Sequence, residues 1–206
     1  ESIKKISGRF ADGQDLRSIR RSMEDLQRLG NKGDLDKIWQ NLGSEDRFIR
    51  NAARVALEHQ PVDTWSTKAL SAKDPQTLLS AVTALARNGS SDLQDEILTA
   101  LDRFEWVKLS EVQQLHLLRN YGLVFIRLGR PNPKAATKLI GKLDPHYPAA
   151  TDALNRELCI ILTYLESDSV PAKTIPLLAQ NRNEQDEYLD TKLLVRSGYG
   201  NAFLAT

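Results

Sequence analysis

Apolar residues recur at three- and four-residue intervals along almost the whole chain, and strand-like alternation is missing. Leu, Ala, Arg, Glu, Gln and Lys dominate; all are good helix formers. The spacing predicts a helix over 15–29 that Asp15 can cap, with Leu16, Ile19, Met23 and Leu26 on one stripe and Gly30 and Gly33 as stops. A short helix follows Asp34, with Leu35, Ile38 and Leu42 inward and Gly43 at its end. In SEDRFIRNAARVALEHQP, Ile49, Ala52, Ala53, Ala56 and Leu57 share one face. A short helix over 62–72 carries Trp65, Ala69 and Leu70. Asp74 then caps a helix whose first position is Pro75, where a missing N–H costs nothing. Its stripe is Leu78, Ala81, Val82 and Leu85, and Asn88-Gly89 ends it.

The second half continues the pattern with longer units. Leu93, Ile97, Leu98 and Leu101 mark a helix over 92–104. Ser110 with Gln113 has the form of a capping box and opens a long helix that ends at Gly129. Its expected stripe is Val112, Leu115, Leu118, Gly122, Phe125 and Ile126. Further helices are predicted over 131–143, from Thr151 or Asp152 through Leu165, and from Pro171 through Leu178. Short and long helices therefore alternate, as paired helices stacked side by side require. Residues 1–14 read as a lead-in, 15–181 as the helical domain, and 182–206 as a polar tail or the start of a further element.

Two segments superimpose at an offset of 28 residues. Asp46, Ala52, Ala53, Ala56 and Leu57 align with Asp74, Ser80, Ala81, Ala84 and Leu85. Small residues recur where helices must approach closely, and the capping aspartate recurs at the turn. Such a unit cannot bury its face alone, so the pattern implies a repeat array. The expected fold class is all-α: a right-handed α-solenoid of about four to five antiparallel helix pairs.

The Asp46–Leu57 string resembles the second helix of a HEAT repeat. In such repeats the matching Asp and Arg form a ladder between neighbours. The resemblance thus gives Asp46, Arg50 and Asp74 structural roles, although Leu78 stands where the second repeat would carry its arginine. The strings SEDRFIRNAARVALEHQPVDTW, YGLVFIRLGRP and LNRELCIILTYLES resemble the helical-repeat segment of large planctomycete-type multidomain proteins. In those proteins a propeller of the membrane-bound dehydrogenase type precedes the repeats, and a c-type haem domain commonly follows. The resemblance covers roughly residues 30–180 and implies a connecting scaffold, with export to the periplasm or cell surface. This chain contains neither a propeller nor C-x-x-C-H, so covalent haem attachment within it is not expected.

Charge adds little direction. Lys and Arg number 28 against 27 Asp and Glu, and the net charge of +1 gives no global pull toward nucleic acid or an anionic membrane. No run of about 18 apolar residues exists, so no membrane insertion is expected. The sequence begins at Glu1 without an apolar leader and reads as an excised or processed piece. The single Cys159 excludes an internal disulfide and reads as a packed thiol beside its helix stripe. His59, His116 and His146 have no metal-ligand spacing. Carboxylates abound, but Asp46, Asp74, Asp92 and Asp152 are explained as caps, and no P-loop, G-x-S-x-G or dinucleotide fingerprint occurs. Arg17, Arg20, Arg21 and Arg28 form a basic stretch, but Glu24 and Asp25 interrupt it and no aromatic interleaves.

The expected function is a non-catalytic interaction scaffold with no cofactor and no metal, whose partner is a protein or neighbouring domains of the same chain. The candidate face is built from the exposed residues of the second helices: Arg47, Arg54, Arg87, Arg119 and Arg156. Trp39 and Trp65 are expected between repeats. Trp106, in a connecting loop with Phe104, is expected to be partly exposed and to add to recognition. Two alternatives stand beside this reading: a segment of an oxidoreductase whose active site lies elsewhere, and a nucleic-acid-binding HEAT-like module.

Overall fold

A computed structural model describes residues 13–28 and 34–181. Among them are ten α-helices and no strand. They are α1 (Gln14–Asp25), α2 (Leu35–Leu42), α3 (Arg47–Glu58), α4 (Ser66–Leu70), α5 (Pro75–Asn88), α6 (Gln94–Asp102), α7 (Glu111–Leu128), α8 (Pro133–Leu143), α9 (Asp152–Tyr164) and α10 (Val170–Asn181). Short 3₁₀ turns occupy Val62–Thr64, Ser91–Leu93, Trp106–Lys108 and Asp144–His146. The expected stops Gly30 and Gly33, the lead-in before residue 13 and the tail from residue 182 lie outside the described residues.

Local chemistry sets the helix starts. Asp34, Asp46 and Asp74 each accept backbone N–H bonds from the first turn of the helix that follows. Ser110 and Gln113 form the predicted capping box, with reciprocal bonds of 3.4 and 3.0 Å. Asn132 caps α8 ahead of Pro133. Gly129 ends α7 at φ +103°, in the left-handed region where a side chain would be strained.

Some starts differ from the sequence reading. Gly13 precedes α1, so Asp15 lies within its first turn, and α1 ends at Asp25. Asp92 sits inside a 3₁₀ turn and makes no capping bond. Thr151 takes the capping role of α9, and Asp152 follows as its first helical residue. Asp15 and Asp152 fall one or two positions inside their helices, where each meets the helix dipole instead of serving as the cap, whereas Asp92 lies two positions before α6, in the 3₁₀ turn that leads into it.

The long helices pack on one another in order: α1 on α3, α3 on α5, α5 on α7, and α7 on α9. The short helices α2, α4, α6 and α8 pack against their long neighbours. Ala52, Ala53 and Ala56 of α3 and Ser80, Ala81 and Ala84 of α5 are buried at these approaches. Their small side chains let the backbones come close. Ile49, Ala53, Leu57, Leu78, Val82, Leu85, Leu158 and Leu162, the expected core positions, are all buried. The stripe of α7 holds in part: Leu118 and Phe125 are buried as expected, whereas Val112 and Ile126 are 66% and 80% exposed. Its buried face also takes in Leu117, Asn120, Tyr121, Val124 and Leu128. Contact with α5, α6 and α9 makes this helix's buried surface wider than one amphipathic stripe.

Candidate interaction face on the long helices

Arginines come from each long helix in turn: Arg47, Arg50 and Arg54 from α3, Arg87 from α5, Arg119 and Arg127 from α7, and Arg156 from α9. Several tie one helix to the next. Glu58 takes both Arg54, four residues before it, and Arg87 of α5 at 3.0 Å. Arg54 also donates to the Asn51 Oδ1 at 3.0 Å. Arg119 donates from Nε to Glu157 of α9 at 2.9 Å. Arg127 donates to the Arg87 carbonyl at 3.0 Å, satisfying a group at the end of α5.

Exposure divides the predicted face. The side chains of Arg87 and Arg119 remain 53% and 64% exposed while paired. Arg54, expected to reach solvent beside Arg87, is only 19% exposed. The nearby Glu58 carboxylate draws it down onto the α3–α5 seam. Arg47 is exposed, with its guanidinium carbon 4.7 Å from the Phe48 ring centroid. Arg156 is exposed and enters none of the ion pairs formed among the described residues.

The expected Asp–Arg ladder between repeats is replaced by local bonds. Arg50 donates to the Ser44 carbonyl and to the Glu45 carbonyl at 3.3 Å. Asp46 is occupied by the Phe48 and Ile49 N–H groups at 2.7 and 3.1 Å. The turn before α3 leaves carbonyls without helical partners, and they hold the Arg50 guanidinium within its own repeat. Asp74 likewise accepts from the Thr77 N–H and hydroxyl at 2.8 and 2.7 Å.

Trp106 does not belong to an accessible surface. It is 8% exposed and stacks on His146, with ring centroids 5.1 Å apart and planes 13° apart. The 3₁₀ turn at Trp106–Lys108 folds the indole inward, and Gln114 donates to its carbonyl at 3.0 Å. Trp65 is buried, as expected, with its indole N–H donated to Gln60. Trp39 is half-buried beneath the Lys68 ammonium, 5.0 Å from the ring centroid. Cys159 is half-buried, its sulfur 3.8 Å from the Thr174 Oγ1.

A polar seam between α5 and α7 escaped the sequence reading. Asn120, 1% exposed, donates to the Leu79 carbonyl at 2.8 Å and accepts from the Thr83 hydroxyl at 2.7 Å. His116 Nε2 lies 3.1 Å from the Thr83 Oγ1, and its Nδ1 lies 3.4 Å from the Gln76 amide nitrogen. With the Thr83 proton directed to Asn120, these partners assign His116 a proton on Nε2 and a free acceptor on Nδ1. The imidazole is therefore neutral. Burial first, then the charges of Arg50, Arg119 and Arg54, push its pKa down to about 4. Three positive charges thus act on one uncharged ring. The signal available in sequence was Asn120, a polar residue between the core positions Leu117 and Val124.

The seam is not arranged for nucleophilic chemistry. The Thr83 hydroxyl has acceptors in Asn120 and the Leu79 carbonyl, and His116 presents no lone pair to it. Among the described residues no three His, Cys, Asp or Glu side chains form a group that could hold a metal ion. No helix among them is long and apolar enough to cross a membrane. No family model, curated protein or solved structure matches the chain.

Proposed function

We propose that this chain is a non-catalytic, HEAT-like α-solenoid that binds an acidic protein segment along the face formed by α3, α5, α7 and α9. The observation that carries the reading is the succession of arginines on consecutively packed long helices. Glu58 and Glu157 neutralise only part of that set, and Arg47, Arg87, Arg119 and Arg156 all retain exposed side chains. Guanidinium groups on neighbouring helices suit a chain of carboxylates, which each can engage with two donors. The alternation of long and short helices and the 28-residue offset support the solenoid reading. A right-handed array of helix pairs serving as a connecting scaffold in a larger exported protein fits the same features.

Fluorescence anisotropy with a labelled poly-glutamate peptide tests the proposal. The parent should bind in a salt-sensitive manner. Arg87→Glu combined with Arg119→Glu should weaken binding roughly tenfold or more, since exposed like charges replace complementary ones. Circular dichroism confirms that the variant remains helical. Equal binding by parent and variant would refute the face. Stronger binding of a labelled single-stranded oligonucleotide than of the peptide would favour the nucleic-acid alternative.

A further inference from the structure

Contacts between α7 and α9 follow the same order along both helices, so the two are parallel neighbours. Thr151 donates to Glu111 at 3.0 Å, Arg119 donates to Glu157 at 2.9 Å, and the Phe125 and Tyr164 rings stack with centroids 5.3 Å apart. Ile160 stands three residues after Glu157 and four before Tyr164, on the side of α9 that borders α7. Ile126 stands seven residues after Arg119 and four after Gly122, whose Cα hydrogen side faces Ile161 of α9. It therefore lies on the side of α7 that borders α9. Both isoleucines are nevertheless more than half exposed, and Tyr164 is 41% exposed. Large apolar side chains along a helix–helix border are normally covered by another element, and none among the described residues covers these three.

Positive groups border this apolar strip. Arg119 and Arg130 stay more than half exposed while paired with Glu157 and Glu166. The Arg130 guanidinium carbon lies 5.8 Å from the Tyr164 ring centroid. Arg156, four residues before Ile160 and so on the same side of α9, is exposed. The carboxylates Glu111 and Asp152 lie at the opposite, N-terminal ends of the two helices. A polyanion without apolar side chains would leave the isoleucines in water. A purely apolar partner would desolvate the guanidinium groups without replacing their hydration.

We propose that the partner segment is amphipathic as well as acidic. Its leucine-like side chains cover Ile126, Ile160 and Tyr164, and its carboxylates engage Arg119, Arg130 and Arg156. The charged half of this inference rests on the acidic-segment reading above; the apolar half rests on the exposed isoleucines.

Fluorescence anisotropy with the full chain compares labelled peptides of four Leu-Glu-Glu-Leu repeats and four Ser-Glu-Glu-Ser repeats, which carry equal charge. The leucine peptide should bind roughly tenfold tighter or more. Ile126→Ser combined with Ile160→Ser should abolish that advantage and leave the affinity for the serine peptide unchanged. Both positions are exposed, so the helical circular dichroism should survive. A Leu-Lys-Lys-Leu peptide should bind more weakly than its glutamate counterpart. Equal affinities of the leucine and serine peptides, an advantage that survives the double isoleucine variant, or equal binding of the lysine peptide would overturn the proposal. A dimer in sedimentation velocity that the isoleucine variant splits would assign the strip to a second copy and overturn it too. Leu189→Ser with Leu193→Ser and Leu194→Ser should leave leucine-peptide affinity unchanged; a gain would assign the strip to residues 182–206 instead. Poly-glutamate with Arg87→Glu and Arg119→Glu tests the arginine face apart, so a parent that binds both glutamate peptides equally overturns the amphipathic partner alone.

Discussion

Acidification should destabilise this protein through His116 in particular. In the folded chain the ring is neutral, with a pKa of about 4 against its ordinary 6.5. A depressed folded pKa contributes stability that is fully present above the unfolded value. It is lost as the pH falls through the folded one. Each tenfold change in proton affinity is worth about 1.36 kcal/mol, so the complete effect is about 3 kcal/mol, of which about 2.5 should already be lost at pH ~4.5. The structural reason is specific. Protonation would put a second N–H on the ring, facing the Gln76 amide nitrogen, and a positive charge near Arg50, Arg54 and Arg119. Urea denaturation of the parent and of His116→Gln at pH ~7.5 and ~4.5 measures the contribution as a difference of differences, which cancels the titration of the other groups. The parent should lose about 2.5 kcal/mol more than the variant on acidification. Added salt should recover part of the loss, because it screens the arginines but not the burial. An imidazole titrating near 6.5 by NMR, or equal losses in parent and variant, would refute the neutral assignment.

Two further outcomes test the packing. Ala53→Glu places a carboxylate at a fully buried position on α3 and should cost about 3 kcal/mol or more in chemical denaturation; a variant that melts like the parent would mean the register of the long helices is wrong. Asp46→Ala removes the acceptor for two N–H groups at the start of α3 and should cost about 1 kcal/mol, which Asp46→Asn should largely restore.

Local features were legible in the sequence because their causes are local. A cap needs an oxygen within three residues of its N–H, as at Asp46, Asp74 and Ser110, and a buried face needs apolar side chains every three or four positions, as in α3 and α9. The all-helical class, the alternation of long and short elements and the core of α3, α5 and α9 follow from that chemistry alone. Tertiary structure decided how the polar groups are used. Glu58 finds Arg87 29 residues away, Thr83 finds His116 33 residues away, and Asn120 finds the Leu79 carbonyl 41 residues away. No local pattern distinguishes these side chains from solvated ones. The same holds for Trp106, which a connecting turn folds against His146, and for Tyr121, whose hydroxyl lost its access to solvent only when neighbouring helices closed over it. Sequence periodicity states which face of a helix must be covered, whereas the identity of the covering helix sets the charge, hydration and partners of every polar group at the seam.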